Sequence, residues 1–499
     1  MLTASGIALL LVGCSLFGID KSKTTDNKFI EHYQFITQKA VDQYGRDTTK
    51  MLLSSWDLET GQYPFDFSHS QSIPSRVYLD RSVDAPAGST LYWNLPDIAA
   101  CVELSQQDGY KALEAAARSF VETYLRKCTA NNGVILWGNH YYYHVIRDKA
   151  VKFYSSEPPK AVNFDTEYGD LHELRPILPP WELLFEWFPQ RIERHIRISS
   201  INHIADFDTG EFNRHANKSS EYAFLESGSI IINSLAFLYA KTGDESLLET
   251  ANLILKYSFN NRDPQTGLVI NSPSKERWDQ HTSTTEIGLW SLNILKSIQY
   301  VPYSTGKEWL HMVERAMEPW LINGFDEHSN MYYGSLNVLT AEHIKKSNDY
   351  PYQPQTYADI LNPLFPTHNY PMQFAESCLL LSEITGKEIY KTGTDRWITT
   401  IKSQLKKNIY TGPKYAENYA RIIHFLNRYG QVYGDHWAIS KAMELAEEAE
   451  MLFYVDEYKM FRGHDQEMRY DCVDGVGLLF FAIRELGTNK SSELSVSFF

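Results

Sequence analysis

The sequence predicts an all-α fold, an (α/α)6 toroid in which six helical hairpins close into a ring. One repeated pattern is an acidic or amide turn with a glycine that leads into a short extended run, as in DFDTGEFNRH (206–215) and RDPQTGLVIN (262–271). The second is a Thr-Gly pair that ends one helix directly before the next begins, as in TGDESLLETANLIL (242–255), TGKEWLHMVERAM (305–317) and TGKEIYKTG (385–393). Such short links are typical of antiparallel helix pairs.

Helices of two kinds alternate between these turns. Some are apolar on every side, which is typical of buried helices: 223–240, 285–297, 374–384 and 473–486. Others are apolar on one face only: 110–126, 245–257, 307–319 and 436–453. We therefore expect inner helices around a hollow, outer helices that cover them, and the extended runs gathered at one mouth of the ring. An open α-solenoid is the alternative architecture.

The composition limits the classes of function. With 499 residues, of which 43% are hydrophobic, the chain can bury a large core. Its net charge of −15 is spread along the chain, so no cationic stripe predicts binding of nucleic acid. Four of the five cysteines lie far apart without CxxC spacing, which predicts small buried side chains rather than a zinc site or disulfides. No cofactor and no metal are predicted.

The N-terminus predicts export. Residues 1–14 form a short apolar run that ends in LVGC, which resembles the lipobox of bacterial lipoproteins, although the usual Lys or Arg before that run is missing. The resemblance implies lipidation of Cys14, so that a lipid is the protein's only attachment to a membrane. We expect a bacterial cell-envelope protein with a polar tether at 15–27, one toroid at 28–488 and a C-terminal tail at 489–499.

One glutamate near the start of an inner helix has two interpretations. In HTSTTEIGLW (281–290), Ser283 and Glu286 match the S-x-x-E pattern of a reciprocal helix cap. The alternative is that this carboxylate serves chemistry, because two other inner helices carry a glutamate in a similar place.

Those two are Glu226 in FLES and Glu376 in FAES. If Ser220 caps the first helix and Pro371 begins the second, both glutamates lie in the second turn, too deep for a cap. A carboxylate there must be paired, hydrogen-bonded or exposed to a wet cavity. We expect Glu226, Glu286 and Glu376 to converge on the hollow, as a catalytic set or as ties between repeats.

Other side chains precede these helices in loops. Histidines recur there and are candidates for proton transfer: His140, His281 and His368 as catalytic groups, and His215 as a substrate contact. Further candidates for substrate binding are Trp137, His172, Arg214, Arg277, Tyr370 and Arg469. His140 and His144 have the i, i+4 spacing of a metal pair, but the intervening YYY disfavours the helix that this needs. In HELRPILPPWELLFEW (172–187), His172, Glu173 and Arg175 precede a proline-set helix start with Trp181 and Glu182, and we expect this stretch to lie on the rim of the same mouth.

Four stretches carry a resemblance to known families: RDPQTGLV, FLESGS, TSTTEIG and WGNHYYY. Together with the repeat layout they resemble the secreted (α/α)6 carbohydrate-active enzymes, nearest to lipoprotein exo-β-glucuronidases and unsaturated glucuronyl hydrolases. In the latter family the working acid is typically aspartate, whereas the matching helices here carry glutamate. The resemblance implies a uronic-acid-containing glycan as substrate.

Three functions remain open. The first is an exo-acting glycoside hydrolase that removes terminal uronic acid with an acid/base pair drawn from Glu226, Glu286 and Glu376. The second is a polysaccharide lyase that uses a His or Tyr base, from His140 with Tyr141 or Tyr142, or from His368 with Tyr370. The third is a glycan-binding lipoprotein without catalysis. A sugar epimerase is a weaker variant of the enzyme hypotheses. Nucleotide-driven chemistry and serine hydrolysis lack their motifs.

Overall fold

A computed structural model describes residues 25–64, 88–138, 140–154, 157–165, 171–273, 281–344, 356–361, 371–407, 412–488 and 490–499. Cys14 and most of the predicted tether lie outside the described residues, as do Arg277, His368 and Tyr370. Among the described helices, none is long and apolar enough to cross a membrane.

The predicted toroid is confirmed. Six inner helices are almost wholly buried; in chain order they are Leu95–Ser105, Leu225–Thr242, Thr284–Ser297, Met372–Thr385, Ala416–Tyr433 and Val476–Thr488. Six amphipathic outer helices cover them: Lys111–Lys127, Pro189–His203, Glu245–Asn260, Tyr303–Asn323, Glu388–Lys407 and His436–Phe453. A helix at residues 25–38 packs outside the sixth inner helix, where the Phe29 and Phe480 rings meet edge to face.

Among the described residues, short strands lie between most of the outer helices and the next inner helix. The paired segments are Ile204–Asp206 with Glu211–Phe212, Phe325–Asp326 with Met331–Tyr332, Tyr454–Val455 with Met460–Phe461, Ser335–Asn337 with His281–Ser283, and Ser55–Asp57 with Arg469–Asp471, all antiparallel. A four-stranded sheet pairs Gly88–Ser89, which precedes the first inner helix, with three strands that follow the first hairpin, Tyr141–His144, Lys149–Tyr154 and Glu157–Ala161. Since these segments precede inner helices, they gather at one mouth of the ring, as predicted.

Helix caps explain several of the boundaries. Gly243 and Gly386 end their helices with φ of +70° and +66°, and Asp244 starts the next outer helix by accepting the Ser246 N–H at 3.1 Å. The predicted helix stop at Gly306 is wrong. That glycine lies inside the helix Tyr303–Asn323, where an added Cβ would stand 2.9 Å from Ile298 Cγ2. Close packing therefore explains this glycine.

A short helix, Trp181–Trp187, contacts the second inner helix, where Trp181 Nε1 donates to Ser234 Oγ at 3.1 Å. Glu182 pairs with Lys241 at the C-terminal end of that same inner helix. The predicted rim position is therefore wrong for this helix, because it lies away from the mouth. The prolines before this helix predict where it starts, but they do not show whether the helix lies on the rim or away from it.

The core is continuous and rich in aromatic rings. Trp290, Trp309, Trp320 and Trp397 are fully buried between the two layers of helices. The four cysteines that the structure describes are free and buried, as predicted. The last described residues, 490–499, pack back onto the ring: Arg421 donates to the Phe498 carbonyl at 3.0 Å, and the Phe499 ring stacks on His424.

Candidate active site

Three separate stretches meet at the mouth beside the second inner helix. The Glu173 N–H donates to the Trp137 carbonyl at 2.9 Å, and the Leu174 N–H donates to the Arg214 carbonyl at 3.0 Å. The pairings of Trp137 with His172 and of Glu173 with His215 complete the contact. The structure thus brings together five of the predicted site residues, Trp137, His140, His172, Arg214 and His215, around Glu173, which the sequence predicted to lie on the rim but not among the site residues.

The Glu173 carboxylate is the centre of this cluster. Its side chain is fully buried, and its Oε1 atom lies 3.4 Å from Arg175 Nη1 and 3.5 Å from Arg214 Nε. Burial alone would raise the pKa of this carboxyl, but neighbouring positive charges outweigh burial and hold the pKa at about 2. In order of effect these neighbours are Arg175, His140, Arg214 and His215. Glu173 is therefore ionised across the physiological pH range.

Above this carboxylate the cluster is accessible to solvent. The Arg175 and Arg214 side chains are 12% and 20% exposed, and His140 and His215 are half-buried. Two guanidinium groups share one buried carboxylate, so their charge exceeds that of Glu173. Guanidinium groups bind planar carboxylates through parallel hydrogen bonds, so we define this set as the mouth cluster: Glu173, Arg175, Arg214, His140 and His215.

Gly138 allows the stretch that leads to His140 to lie against the carboxylate. Its φ is +116°, and an added Cβ would stand 2.6 Å from Glu173 Cβ. Both the backbone conformation and the lack of space require glycine.

A chain of buried imidazoles supports the cluster from below. His203, the last residue of its outer helix, has Nδ1 2.7 Å from the Asn213 carbonyl and Nε2 2.7 Å from His172 Nδ1. Since a carbonyl only accepts, His203 carries its proton on Nδ1, and its Nε2 accepts from His172. Burial, followed by His203 and His195, lowers the pKa of His172 well below its usual value, so His172 is neutral. His203 thus links His172 and Asn213, which directly precede Glu173 and Arg214 in the sequence.

Aromatic rings flank the arginine. The Arg214 guanidinium lies 5.0 Å from the centre of the Phe224 ring, which stacks on Tyr222. The Arg214 N–H donates to the Tyr222 carbonyl at 2.8 Å. Phe224 directly precedes the second inner helix, so the loop that carries Arg214 is fixed to the start of the helix that carries Glu226.

The glutamates of the second and third inner helices both lie in first turns. The second inner helix begins at Leu225 after Phe224, so the predicted cap at Ser220 and the second-turn position of Glu226 are wrong. Ser220 instead donates its hydroxyl to Glu211. In the third inner helix, Ser283 Oγ accepts the Glu286 N–H at 3.4 Å, so the capping interpretation holds for that backbone group. Both glutamate side chains are half-buried.

Glu376 has a different environment. It is 4% exposed, and Arg428 Nη1 donates to its Oε2 at 2.7 Å while also pairing with Glu383 through Nη2. His424 Nε2 lies 3.8 Å from its other oxygen. This arrangement ties the fourth inner helix to the fifth, which is the structural alternative considered for these glutamates, and we leave Glu376 out of the proposed chemistry.

The other candidates lie apart from the mouth cluster. His281 is buried in the strand that pairs with Ser335–Asn337. Arg469 pairs with Glu467 at 2.7 Å on the strand beside Ser55–Asp57. Their places before inner helices match the prediction, but that pattern does not determine which loops meet.

The Tyr141–His144 strand bears on two hypotheses, a metal site at His140 and His144 and a catalytic base at Tyr141 or Tyr142. His140 and His144 stand four residues apart in extended chain, roughly 13 Å at the usual rise, so they are too far apart to share a metal. Among the described residues, no group of three or more His, Cys, Asp or Glu side chains is placed to hold a metal ion. Tyr141 and Tyr142 are fully buried and do not face a substrate as bases.

Comparison with known proteins finds one matching family model and several similar solved structures. Residues 98–288 match the model of a family described as periplasmic pectate lyase, which is less than half of the chain. A D-mannose isomerase structure is 7% identical, with 94% of this chain and 98% of that chain covered, at a TM-score of 0.49. A family 76 glycoside hydrolase (mannosidase) of Bacteroides thetaiotaomicron is 11% identical, with 93% and 98% covered, at 0.44.

An inactive variant of the α-1,6-mannanase of Salegentibacter sp. HEL1_6, solved with α-1,6-mannotetrose, is also 11% identical, with 79% of this chain and 100% of that chain covered, at 0.44. All three TM-scores lie below 0.5, so these structures bear on neither the reaction nor the substrate of this chain.

Proposed function

We propose that the protein is a lyase that cleaves a uronic-acid-containing polysaccharide by β-elimination at the mouth cluster. The observation that carries the proposal is the pair of partly exposed guanidinium groups of Arg175 and Arg214 held on the buried, ionised Glu173. The segment that matches the pectate lyase family, 98–288, includes every residue of this cluster.

The chemistry of elimination accounts for the charges. A uronate carboxylate bound by Arg214 and Arg175 has its negative charge neutralised, which acidifies the neighbouring C5 proton. A base takes that proton, the C4–O bond breaks with its electron pair on the leaving oxygen, and a C4=C5 double bond forms. The leaving oxygen then gains a proton, so atoms and charge balance.

Two imidazoles can perform the proton transfers. His140 and His215 are half-buried beside the arginines, and an imidazole can exchange a proton near neutral pH. In this proposal one of them removes the C5 proton. Glu173 has a positioning role, because a carboxylate whose pKa is held at about 2 is a poor base but a firm anchor for cations.

Hydrolysis by Glu226 and Glu286 is the second candidate. The half-buried glutamates lie in the first turns of sequential inner helices that pack together through Asn293 Nδ2 and Ser229 Oγ, 3.0 Å apart. Such a pair could supply acid and base, with retention expected at a carboxyl separation of about 5–5.5 Å and inversion at about 6.5–9.5 Å.

Digestion of a panel of uronic-acid polysaccharides, with mass detection of the products, tests the proposal. A lyase yields fragments whose new end is unsaturated and absorbs near the ultraviolet edge, and Arg214→Ala abolishes them while Glu226→Gln with Glu286→Gln does not. Fragments heavier by one water per cleavage that disappear in the double glutamine variant would favour hydrolysis. Affinity for glycans with no product over long incubation would favour a binding protein.

We also propose that Cys14 carries a lipid and that the toroid at 28–488 is held at the cell envelope by the tether at 15–27. The support is the LVGC sequence and the periplasmic description of the matching family. Metabolic labelling with a fatty acid tests it: wild type should be labelled and Cys14→Ser should not, whereas equal labelling would contradict the proposal.

A further inference from the structure

A stack of three aromatic rings lies near the third inner helix, outside the mouth cluster. The Tyr333 ring lies between the other two, with its centre 4.4 Å from that of His343 at 8° and 5.5 Å from that of Tyr357 at 12°. All three side chains are partly exposed. We call these three rings the aromatic stack. Its outer faces belong to His343 and Tyr357.

Hydrogen bonds hold the stack in place. The Tyr357 hydroxyl donates to Asp326 Oδ2 at 2.7 Å, and the His328 N–H donates to the other oxygen of that carboxylate at 2.9 Å. The hydrogen bond from Tyr357 is the largest cause that holds the pKa of Asp326 at about 2. Backbone pairing of Tyr333 with Tyr357 fixes the second ring. The rings are therefore ordered before any ligand arrives, which lowers the entropic cost of binding.

The backbone connects this stack to the mouth. The Thr284 N–H, at the first residue of the third inner helix, donates to the Gly334 carbonyl at 3.1 Å. The Gly334 N–H donates to the Thr356 carbonyl at 3.1 Å. Tyr333 and Tyr357 directly adjoin these two residues, so the aromatic stack lies on the rim beside the helix that carries Glu286.

We propose that the aromatic stack is a binding platform for sugar rings of the polysaccharide, distal to the bond that is cleaved. Parallel, partly exposed rings with polar edges suit sugars, whose C–H faces are apolar and whose rims carry hydroxyls. Nearby rings that serve the core, such as Tyr332 and Phe374, are fully buried, whereas these three are not.

The inference rests on the proposed function, because it requires a polymeric glycan that extends along the rim from the mouth cluster. A long chain would reach both places, whereas a disaccharide would occupy the mouth cluster alone. The platform therefore contributes to the affinity for polymer and leaves the reaction of short substrates unchanged.

The test compares wild type with the double variant His343→Ala/Tyr357→Ala on polymer and on disaccharide. We expect KM and Kd for polymer to rise about tenfold, with kcat and the disaccharide KM unchanged. Tyr357→Phe keeps the ring and should lose much less. Tyr303→Ala removes an exposed ring at the start of an outer helix, away from the mouth, and should behave as wild type.

Kd is measured separately from turnover, by calorimetry with the same polymer. Turnover with unchanged KM and Kd in the double variant would overturn the platform and leave the lyase standing. Loss of polymer affinity in the double variant, when wild type forms no product from any glycan, would overturn the lyase and leave the platform standing.

Discussion

Arg214 Nε lies 3.5 Å from Glu173 Oε1, and Arg214 is partly exposed while the carboxylate is fully buried. This geometry places a partly exposed positive group over its buried counter-charge, so the guanidinium is accessible to an incoming anion. Arg175 repeats the arrangement at 3.4 Å. The pair gives the mouth the charge that a uronate requires, although the whole chain is acidic.

Glu173→Gln should lower kcat/KM for polysaccharide by about 100-fold, since the amide leaves both arginines without their anchor. The carboxylate also contributes to stability. Its pKa is depressed to about 2 in the fold, so the stabilisation is present above the ordinary pKa of about 4.5 and is lost as pH falls towards 2. Thermal unfolding of wild type and variant between pH 2 and 7 measures this contribution.

A matched control is Glu182→Gln, which removes an exposed carboxylate paired with Lys241. Such a pair is worth at most about 1 kcal/mol, so activity and Tm should change little. Equal effects of the two substitutions would contradict the role assigned to Glu173.

Gly138→Ala should impair both folding and activity. The new Cβ would approach Glu173 Cβ to 2.6 Å at a residue with φ of +116°. Gly243→Ala is the control, because its φ is also positive at +70° but nothing lies within 4 Å of the added atom. That variant should cost about 1 kcal/mol in unfolding free energy with normal kcat, and denaturant titration with activity assays compares the two.

His203→Phe should lower both stability and kcat. It leaves the His172 donor and the Asn213 carbonyl buried without this partner, at about 1–3 kcal/mol each. The loss of kcat follows from misplacement of Arg214, which adjoins Asn213.

His32→Phe is the matched control for that substitution. This fully buried imidazole accepts the Phe461 N–H at 3.2 Å and lies outside the mouth cluster, between the N-terminal helix and the ring. It should lose stability but retain kcat per folded molecule. A His203→Phe protein that loses only stability would show that His203 has no positioning role.

Asp97 should make wild-type stability fall as pH rises. Burial raises its pKa to about 7, although the hydroxyls of Tyr33 and Tyr470 both donate to it and lower the pKa. A carboxyl whose pKa is raised in the folded state stabilises the fold most at pH values below its ordinary pKa, near 4. This stabilisation is lost as the pH rises through 7.

The size of this effect is about 4 kcal/mol over that range, from a shift of roughly three pKa units. Asp97→Asn should remove this part of the pH dependence. From pH 4 to 8, the free energy of unfolding should fall more steeply with pH in wild type than in Asp97→Asn. Equal slopes for the two proteins would show that Asp97 is not the titrating group.

The sequence predicted the architecture because the repeats are local. The helix ends at Gly243 and Gly386 depend on the backbone of a few neighbouring residues. The same holds for the turns before the inner helices. Gly306 misled the prediction because its reason lies in packing against Ile298, which sequence does not display. The start of the helix at Leu225 was missed because no side chain caps it.

The candidate site was only half predictable. The places of Trp137, His140, Arg214 and His215 in loops before helices, and that of His172 in the 172–187 stretch, predict site residues that the structure brings together. The sequence predicts Glu173 only as part of that rim stretch, because one glutamate in a mixed polar stretch has no pattern of its own. The one available signal was its position between His172 and Arg175. Glu376 was selected because its partner Arg428, 52 residues later, cannot be read from spacing.

The most direct test of cleavage by elimination at the mouth cluster uses water labelled with heavy oxygen. Wild type is given a uronic-acid polysaccharide in labelled water, and the fragments are weighed. Elimination predicts unsaturated fragments without heavy oxygen, formed by wild type and lost in Arg214→Ala. One heavy oxygen per cleaved bond, with turnover retained in Arg214→Ala, would contradict it.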